Sequence, residues 1–328
     1  MAGAGLGLLL GPSLPLRKRL GLAALAVGIP AAVAFTHMGW RFSYYGELLP
    51  LTFHAKTGLP TLNRLSYFPG YLSASVFPAI IISLGLLGLL AAVRWRRPAG
   101  TIWVLAAPLL AYFVYTVWAG GDHMQGARLF VPILLPASLL ILLAASALLP
   151  LHATRSMLTV LFLVILAGLQ VPALKQDDAA FFGSLVGKFI DDRLPAGSTI
   201  ALHTAGSTPY FSDDNTFIDM LGLNDPHIAR RDPVPMLASW QKIPGHGKGD
   251  GNYVMEREPD YIILGPAAGI GTEEEPWFLS DVELTENPTF LRCYARQLAA
   301  LDLTAAAKLK GRASEWPIPF TYYKRTCD

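Results

Sequence analysis

The fold of this chain is decided by a short polar loop, Gly120-Gly121-Asp122-His123-Met124-Gln125-Gly126-Ala127-Arg128, which lies between two long apolar runs. Residues 101–118 precede the loop and residues 129–149 follow it, and each run can cross roughly 30 Å of hydrocarbon. Charged groups beside a bilayer are costly unless they face water, protein or a ligand. Asp122, His123 and Arg128 are therefore candidate site residues. The alternative is that Asp122 and Arg128 only cap helix ends and meet lipid headgroups.

The composition predicts a chain with a membrane part and a water-exposed part. Of the 328 residues, 52% are hydrophobic and only 15% are charged, which is too apolar for an ordinary soluble domain. The formal net charge is only +2, which argues against nucleic acid as a partner.

Hydropathy predicts five transmembrane spans, at about residues 20–35, 76–93, 101–118, 129–149 and 157–171. Basic clusters precede the first span, separate the second from the third and separate the fourth from the fifth. The positive-inside rule places all three clusters in the cytoplasm. We therefore expect a multi-pass protein of the plasma membrane, with a cytoplasmic N-terminus and an extracytoplasmic C-terminal domain. The first basic cluster, residues 17–19, follows an apolar stretch, and this order does not fit a cleavable signal peptide.

The sequence divides into a transmembrane domain, residues 1–174, and a small α/β domain, residues 175–328. Helical spacing of apolar residues predicts a helix over residues 177–194. Strand patterns occur at residues 199–203, 217–220, 260–264 and 320–324. The stretch Gly245-His246-Gly247-Lys248-Gly249-Asp250-Gly251 lacks the spacing of a phosphate-binding P-loop, so we interpret it as a turn whose glycines allow positive φ.

The only two cysteines, Cys293 and Cys327, both fall in the part of the chain that the charge rule places outside the cytoplasm. An oxidising compartment would favour a disulfide between them. Two free thiols are the alternative.

The segment after the first span combines aromatic and charged residues. Tyr44 and Tyr45 stand beside Glu47, and Lys56 follows nine residues later. Tyrosine and lysine often anchor a segment in the membrane interface, so an interfacial amphipathic segment is the alternative to a substrate-binding site.

Five short motifs follow one another along the chain. They are Tyr44-Tyr45-Gly46-Glu47-Leu48-Leu49-Pro50-Leu51-Thr52 with Ala55-Lys56, the Gly120–Arg128 loop, Asp219-Met220-Leu221-Gly222-Leu223-Asn224-Asp225, the Gly245–Gly251 stretch, and Arg257-Glu258-Pro259-Asp260-Tyr261. Together they resemble the C-terminal half of bacterial GT-C membrane glycosyltransferases, and they are most similar to the terminal β-1,2-arabinofuranosyltransferases. The resemblance runs from about residue 38 to the C-terminus. It implies a GT-C-like membrane α-helical domain of about five transmembrane helices, followed by a small α/β extracytoplasmic domain.

The sequence departs from the family pattern at three places. Leu51 stands where the family usually has Asn, and His123 stands where an aromatic residue is common. The family also has further N-terminal spans, and its first outer loop carries the acidic residue taken as the catalytic base. In this sequence the first span leads directly into the Tyr44-Tyr45 motif, so we expect that half to be missing and a separate N-terminal half to be a partner.

The resemblance implies sugar transfer from a polyprenyl-phosphate donor to a cell-envelope glycan. Lys56 and Arg128 are the cations expected at the donor phosphate, and Glu47 and Asp122 are the carboxylates expected at the acceptor hydroxyl. Tyr44, Tyr45 and His123 complete the predicted substrate-binding set. No cofactor is expected, although a divalent metal stays open.

Two classes of function are left open by the sequence. The chain is either a glycosyltransferase of the EC 2.4 class or a non-catalytic relative. The non-catalytic relative would be a membrane-anchored glycan-binding or accessory subunit.

Overall fold

The computed structural model describes residues 15–57, 59–73, 82, 85–86, 88–90, 99–124, 128–148, 177–301 and 318–327. The chain forms two compact units. The first contains Met1–Leu48 and Leu65–Lys175, and the second contains Leu49–Arg64 and Gln176–Asp328. The sequence-based division had placed residues 49–64 in the membrane part. They belong to the second unit because Ala55 and Leu59 are buried there, with Leu59 against Gly247.

The N-terminal part of the chain is helical, with α1 at Leu16–Tyr45, α2 at Leu51–Thr57, α3 at Thr61–Ser73, α4 at Ala99–Ala119 and α5 at Val131–Leu148. A 3-10 turn, Arg128–Phe130, leads into α5. Helix α1 has 30 residues, of which only Ala23 is buried. It ends at Gly46, whose φ of 69° lets its N–H bond back to the carbonyl of Phe42.

Helices α4 and α5 pack against each other. Leu109 from α4 and Ile133 and Leu140 from α5 are almost completely buried, together with Phe130 of the 3-10 turn. Part of the apolar surface of both helices therefore lies in a protein core.

The predicted fold of about five transmembrane helices is wrong for the residues that the structure describes. Among them, one helix, Leu16–Tyr45, is long and apolar enough to cross a membrane, and it includes the predicted span 20–35. The apolar helices Trp103–Ala119 and Arg128–Leu142, at the predicted spans 101–118 and 129–149, are shorter. The predicted span 157–171 and most of 76–93 lie outside the described residues. Hydropathy misleads here because a helix that packs on another helix has the same composition as one that faces lipid.

The second unit is built on a five-stranded mixed sheet in the order β2-β1-β3-β5-β4. Its further elements are α6 (Asp178–Arg193), β1 (Thr199–Leu202), α7 (Ser207–Tyr210), β2 (Thr216–Asp219), α8 (Pro226–Arg230), a 3-10 turn (Ser239–Lys242), α9 (Gly251–Glu256), β3 (Tyr261–Ile262), α10 (Leu279–Thr285), α11 (Pro288–Cys293), β4 (Tyr294–Leu301) and β5 (Ile318–Arg325). Strands β2, β1 and β3 are parallel, whereas β5 is antiparallel to both β3 and β4.

Helix α6 forms where the apolar spacing predicts it. The side chain of Asp177 accepts hydrogen bonds from the N–H groups of Ala179 and Ala180, which would otherwise lack partners in the first turn. Val186 and Ile190 are fully buried against the sheet core. Burial of each such side chain contributes about 1.5–3 kcal/mol relative to exposure.

Cys293 and Cys327 form a disulfide, with their Cα atoms 5.0 Å apart. Cys293 ends α11 and Cys327 follows β5, so the bond ties the beginning of β4 to the end of β5. Thr326 strengthens the same junction, because its N–H and its hydroxyl both donate to the carbonyl of Cys293.

Candidate functional site

The carboxyl ends of the three parallel strands meet at one edge of the sheet. His203 follows β1, Asp219 ends β2 and Gly265 comes after β3. In open α/β sheets, ligands bind outside this edge. The residues that connect this edge to the neighbouring helices are therefore the first place to look for a site.

Asp219 is buried and organises the turn that follows β2. Its carboxylate accepts hydrogen bonds from the N–H groups of Leu221 and Asn224, at 2.9 and 2.7 Å. Burial raises the pKa of Asp219, although these bonds act in the opposite direction. Gly222 has a φ of 73°, and a Cβ at this position would lie 2.6 Å from the backbone nitrogen of Ala229. The first Asp of the 219–225 motif therefore folds the turn that presents the last Asp.

Asp225 joins the beginning of α8 to α9. One of its oxygens accepts from the N–H groups of His227 and Ile228, which caps α8, and Pro226 occupies the first helical position. The other oxygen accepts from the Tyr253 hydroxyl at 3.1 Å. Arg257 in turn donates to the oxygen of Tyr253 at 2.8 Å.

His227 lies face to face with Tyr253, with ring centroids 4.0 Å apart and an interplanar angle of 15°. Its Nε2 is 3.1 Å from Oδ2 of Asp250, whose other oxygen caps α9. The side chains of His227 and Arg257 are 53% and 43% exposed. We call Asp225, His227, Asp250, Tyr253 and Arg257 the motif cluster, since all but Tyr253 and His227 come from motifs that the sequence singles out.

The glycines of the 245–251 stretch allow close packing more than unusual backbone angles. Only Gly245 has a positive φ, of 90°. A Cβ at Gly247 would lie 2.5 Å from the side chain of Leu59, and a Cβ at Gly249 would lie 2.6 Å from the backbone nitrogen of Ser280. The prediction that these glycines allow a positive φ is thus correct for Gly245. The other glycines allow the backbone of the stretch to pack directly against α10 and Leu59.

The charged residues around this stretch are engaged within the protein. Arg231 forms an ion pair with Glu283 at 2.7 Å and donates to the carbonyl of Gly249. Lys248 donates to the carbonyl of Arg231, and burial lowers the pKa of its ammonium group. Lys248 therefore holds the loop together and is not directed at a ligand.

Lys56 lies in the same unit as three of the other motifs. Helix α2, which carries it, packs against α8, and its side-chain carbons lie beside Gly245. The stretches 51–56, 219–225, 245–251 and 257–261 are separated by up to about 200 residues in sequence, yet they meet in one unit.

A second polar pair, His203 and Asp281, is completely enclosed near the end of β1. His203 Nε2 is 3.6 Å from Oδ1 of Asp281, and Phe278 stacks on the imidazole at 4.3 Å. Asp281 also accepts from the N–H groups of Gly265 and Phe278. Burial lowers the pKa of His203 to about 3 and raises that of Asp281 to about 7. Both side chains are almost completely buried, so we assign the pair a structural role.

The predicted residues of the 120–128 loop lie together in the first unit. The Asp122 carboxylate is 1% exposed, and Nε and Nη2 of Arg128 both lie 2.6 Å from its Oδ2. Nδ1 of His123 is 3.2 Å from its other oxygen. Asp122 therefore joins His123 and Arg128, whose side chains are 31% and 50% exposed.

Tyr44, Tyr45 and Glu47 belong to the first unit, at and just after the end of α1. Tyr44 and Tyr45 are 71% and 57% exposed, and their rings meet edge to face at a centroid distance of 4.7 Å. The predicted set is therefore divided: Lys56 belongs to the second unit, and the other substrate-binding and catalytic candidates belong to the first.

Sequence reasoning missed His227 and Tyr253 as site residues. A signal was present, because Asp225-Pro226 is a typical helix start that places His227 in the first turn. Nothing in the sequence indicated that this turn would lie against α9. As for metals, no group of three or more His, Cys, Asp and Glu residues within the described ranges is placed to hold an ion.

Comparison with protein families finds a match in the C-terminal part of the chain. Residues 174–313 are similar to a family described as a domain of unknown function (DUF8728). No curated protein and no solved structure matches the chain. The matched range contains strands β1 to β4 and the motif cluster but ends before β5, and its description names no activity.

Proposed function

We propose that this chain is a membrane-anchored protein whose C-terminal unit binds a cell-envelope glycan at the motif cluster. The observation that carries the proposal is the meeting of three of the motifs in one cluster that combines aromatic and charged groups and leaves His227 and Arg257 about half exposed.

Exposure of α1 supports the anchor. Large apolar side chains are exposed along most of its length, including Ile29 at 60%, Val33 at 66% and Phe35 at 74%. Such a surface is not stable in water, and a helix of 30 residues is long enough to cross a bilayer. Trp40, Tyr44 and Tyr45 near its C-terminal end are residues that favour the membrane interface.

The charge pattern supports an orientation with the N-terminus in the cytoplasm. Arg17, Lys18 and Arg19 lie in the first turn of α1, and the last turn contains no basic residue. By the positive-inside rule, the second unit then lies outside the plasma membrane. The disulfide between Cys293 and Cys327 suits that compartment.

The chemistry of the motif cluster suits a sugar. A sugar ring offers apolar C–H faces and a rim of hydroxyls, and aromatic rings with a polar edge match both. The imidazole of His227 is covered by Tyr253 on one face, and about half of the side chain is exposed. Arg257 adds a planar fork of hydrogen-bond donors beside the carboxylate of Asp225.

Binding of arabinofuranose oligosaccharides to the full chain in detergent tests the proposal. We expect Arg257→Ala to weaken binding about tenfold or more, because a hydrogen bond to a charged group contributes about 1.5–3 kcal/mol. Arg296→Ala is the matched control, since Arg296 is similarly exposed and pairs with Glu273 outside the cluster. Failure of the wild type to bind, or equal loss in both variants, would contradict the proposal.

Sugar transfer by the chain itself is the second candidate, and the position of Lys56 favours it. Lys56 lies on α2, which packs against the helix that carries His227, so a cation and a glycan-binding residue share one unit. A donor phosphate needs such a cation in the transition state. Incubation with a polyprenyl-phosphate sugar and an acceptor oligosaccharide, with and without a co-expressed N-terminal half, distinguishes transfer from binding alone.

A further inference from the structure

We propose that the loop formed by residues 236–240 docks on the surface of a lipid bilayer. The inference goes beyond glycan binding and rests on the proposed membrane anchor. It concerns a loop of the second unit whose residues do not belong to the motif cluster.

The loop presents adjacent apolar side chains to solvent. Met236 is 45% exposed and Leu237 is 59% exposed. Trp240 follows, half-buried, and stacks on Trp277 with ring centroids 5.0 Å apart and an interplanar angle of 17°. Single exposed apolar residues are common on protein surfaces, but adjacent ones flanked by tryptophan indicate an interaction surface.

The fold holds the loop in this conformation. The buried side chain of Gln241 accepts from the N–H of Leu237 at 2.8 Å and donates to the carbonyl of Pro235 at 3.0 Å. The N–H of Trp240 donates to the carbonyl of Trp277 at 3.0 Å. These hydrogen bonds therefore hold the turn in the conformation that exposes Leu237.

The residues around the loop favour a lipid surface over other occupants. Tryptophan and lysine are side chains that favour the membrane interface, and exposed Lys242 lies two residues after the loop. Arg230 adds a second exposed basic residue before the loop, against one exposed carboxylate, Asp232. A glycan would instead require several hydrogen-bonding groups, as the motif cluster provides.

The covalent chain keeps this unit beside the bilayer that α1 would cross. Only residues 46–50 separate the end of α1 from the beginning of α2. Fully extended, such a segment reaches about 20 Å at most. Helix α2 belongs to the second unit, so the chain enters this unit within that distance of the end of α1.

Site-specific fluorescence in nanodiscs tests the inference on the full chain. Both native cysteines are in the disulfide, so Leu237→Cys introduces one free thiol for an environment-sensitive probe. Leu298→Cys on β4, where the native side chain is 69% exposed, is the matched aqueous control. Val33→Cys on α1 is the lipid control. Nanodiscs are prepared with and without lipids that carry a quencher in the acyl chain.

We expect the probe at position 237 to lose fluorescence to the lipid quencher, as the probe at position 33 does, and the probe at position 298 to be unaffected. A probe at position 237 that is not quenched overturns the inference. A blue-shifted emission without lipid quenching also overturns it, because a second copy or a glycan then covers the loop. The probe at position 33 reports separately whether the proposed anchor fails.

Discussion

At the scale of single residues, burial has opposite effects on the two members of the His203–Asp281 pair. Desolvation disfavours the charged form of each group, so His203 has a pKa of about 3 and Asp281 one of about 7. The ordinary values are 6.5 and 3.8. His203 therefore loses stabilising free energy as the pH falls from about 6.5 to 3, and Asp281 does so as the pH rises from about 3.8 to 7.

These two dependences oppose each other between about pH 4 and 6.5, so the wild-type stability should vary little there. Asp281→Asn removes one of them. We expect this variant to lose stability on acidification below about pH 6.5, by up to about 1.4 kcal/mol per pH unit, because the unfolded chain then binds one more proton than the folded chain. Denaturant unfolding at several pH values measures the slope.

His203→Phe supplies the complementary experiment, since phenylalanine keeps the stacking on Phe278 and removes the titrating group. Its stability should fall as the pH rises from about 4 to 7, because in this range Asp281 binds a proton in the folded chain but not in the unfolded chain. The same pH profile for both variants would show that the pair does not titrate as described.

At the scale of elements, close packing explains why residues 245–251 are rich in glycine, and pairing with β5 explains why β4 is a strand. Strand β4 has the sequence Tyr-Ala-Arg-Gln-Leu-Ala-Ala-Leu, whose alanine, arginine, glutamine and leucine favour helix, and the sequence did not predict it. It is extended because it pairs along its whole length with β5 and because the disulfide fixes its first residues. Helix α6, by contrast, depends on the spacing of its own apolar residues and on the Asp177 cap, so the sequence predicts it.

Gly249→Ala tests the packing role of the glycine stretch. A Cβ at this position would lie 2.6 Å from the nitrogen of Ser280, which belongs to the backbone of α10. We expect a loss of about 1–3 kcal/mol in the free energy of unfolding, as for other overpacked sites. Gly206→Ala is the control, since its Cβ would have no neighbour within 4 Å and its φ is not positive. Equal stability of the two variants would rule out the packing role.

The disulfide allows a second prediction at this scale. The bond closes a loop with a sequence separation of 34. In the chain-entropy model, replacing both cysteines by serine should cost about 3–4 kcal/mol of stability. Thiol titration of the denatured, unreduced wild type should find no free thiol, and two free thiols would contradict the bond.

At the scale of the whole molecule, the proposed topology places Lys18 in the cytoplasm and the second unit outside. A membrane-impermeant maleimide applied to intact cells should label Asp213→Cys, because Asp213 is exposed in that unit. Lys18→Cys should react only after permeabilisation. Ser212, its neighbour, is 1% exposed and is unsuitable for labelling. Labelling of Asp213→Cys only after permeabilisation would reverse the proposed orientation.

The sequence alone determined those helices and strands that depend on residues close together in the chain. It predicted a long apolar helix near residues 20–35, a capped helix after Asp177 and strands at the sites of β1, β2, β3 and β5, because hydrophobic period and capping act over a few residues. Tertiary structure alone decided what these elements face. It packed α4 against α5, enclosed His203 with Asp281, and brought Lys56, Asp225 and Tyr253 into one unit. Such contacts join residues far apart in sequence, and a pattern confined to one segment does not specify its partner.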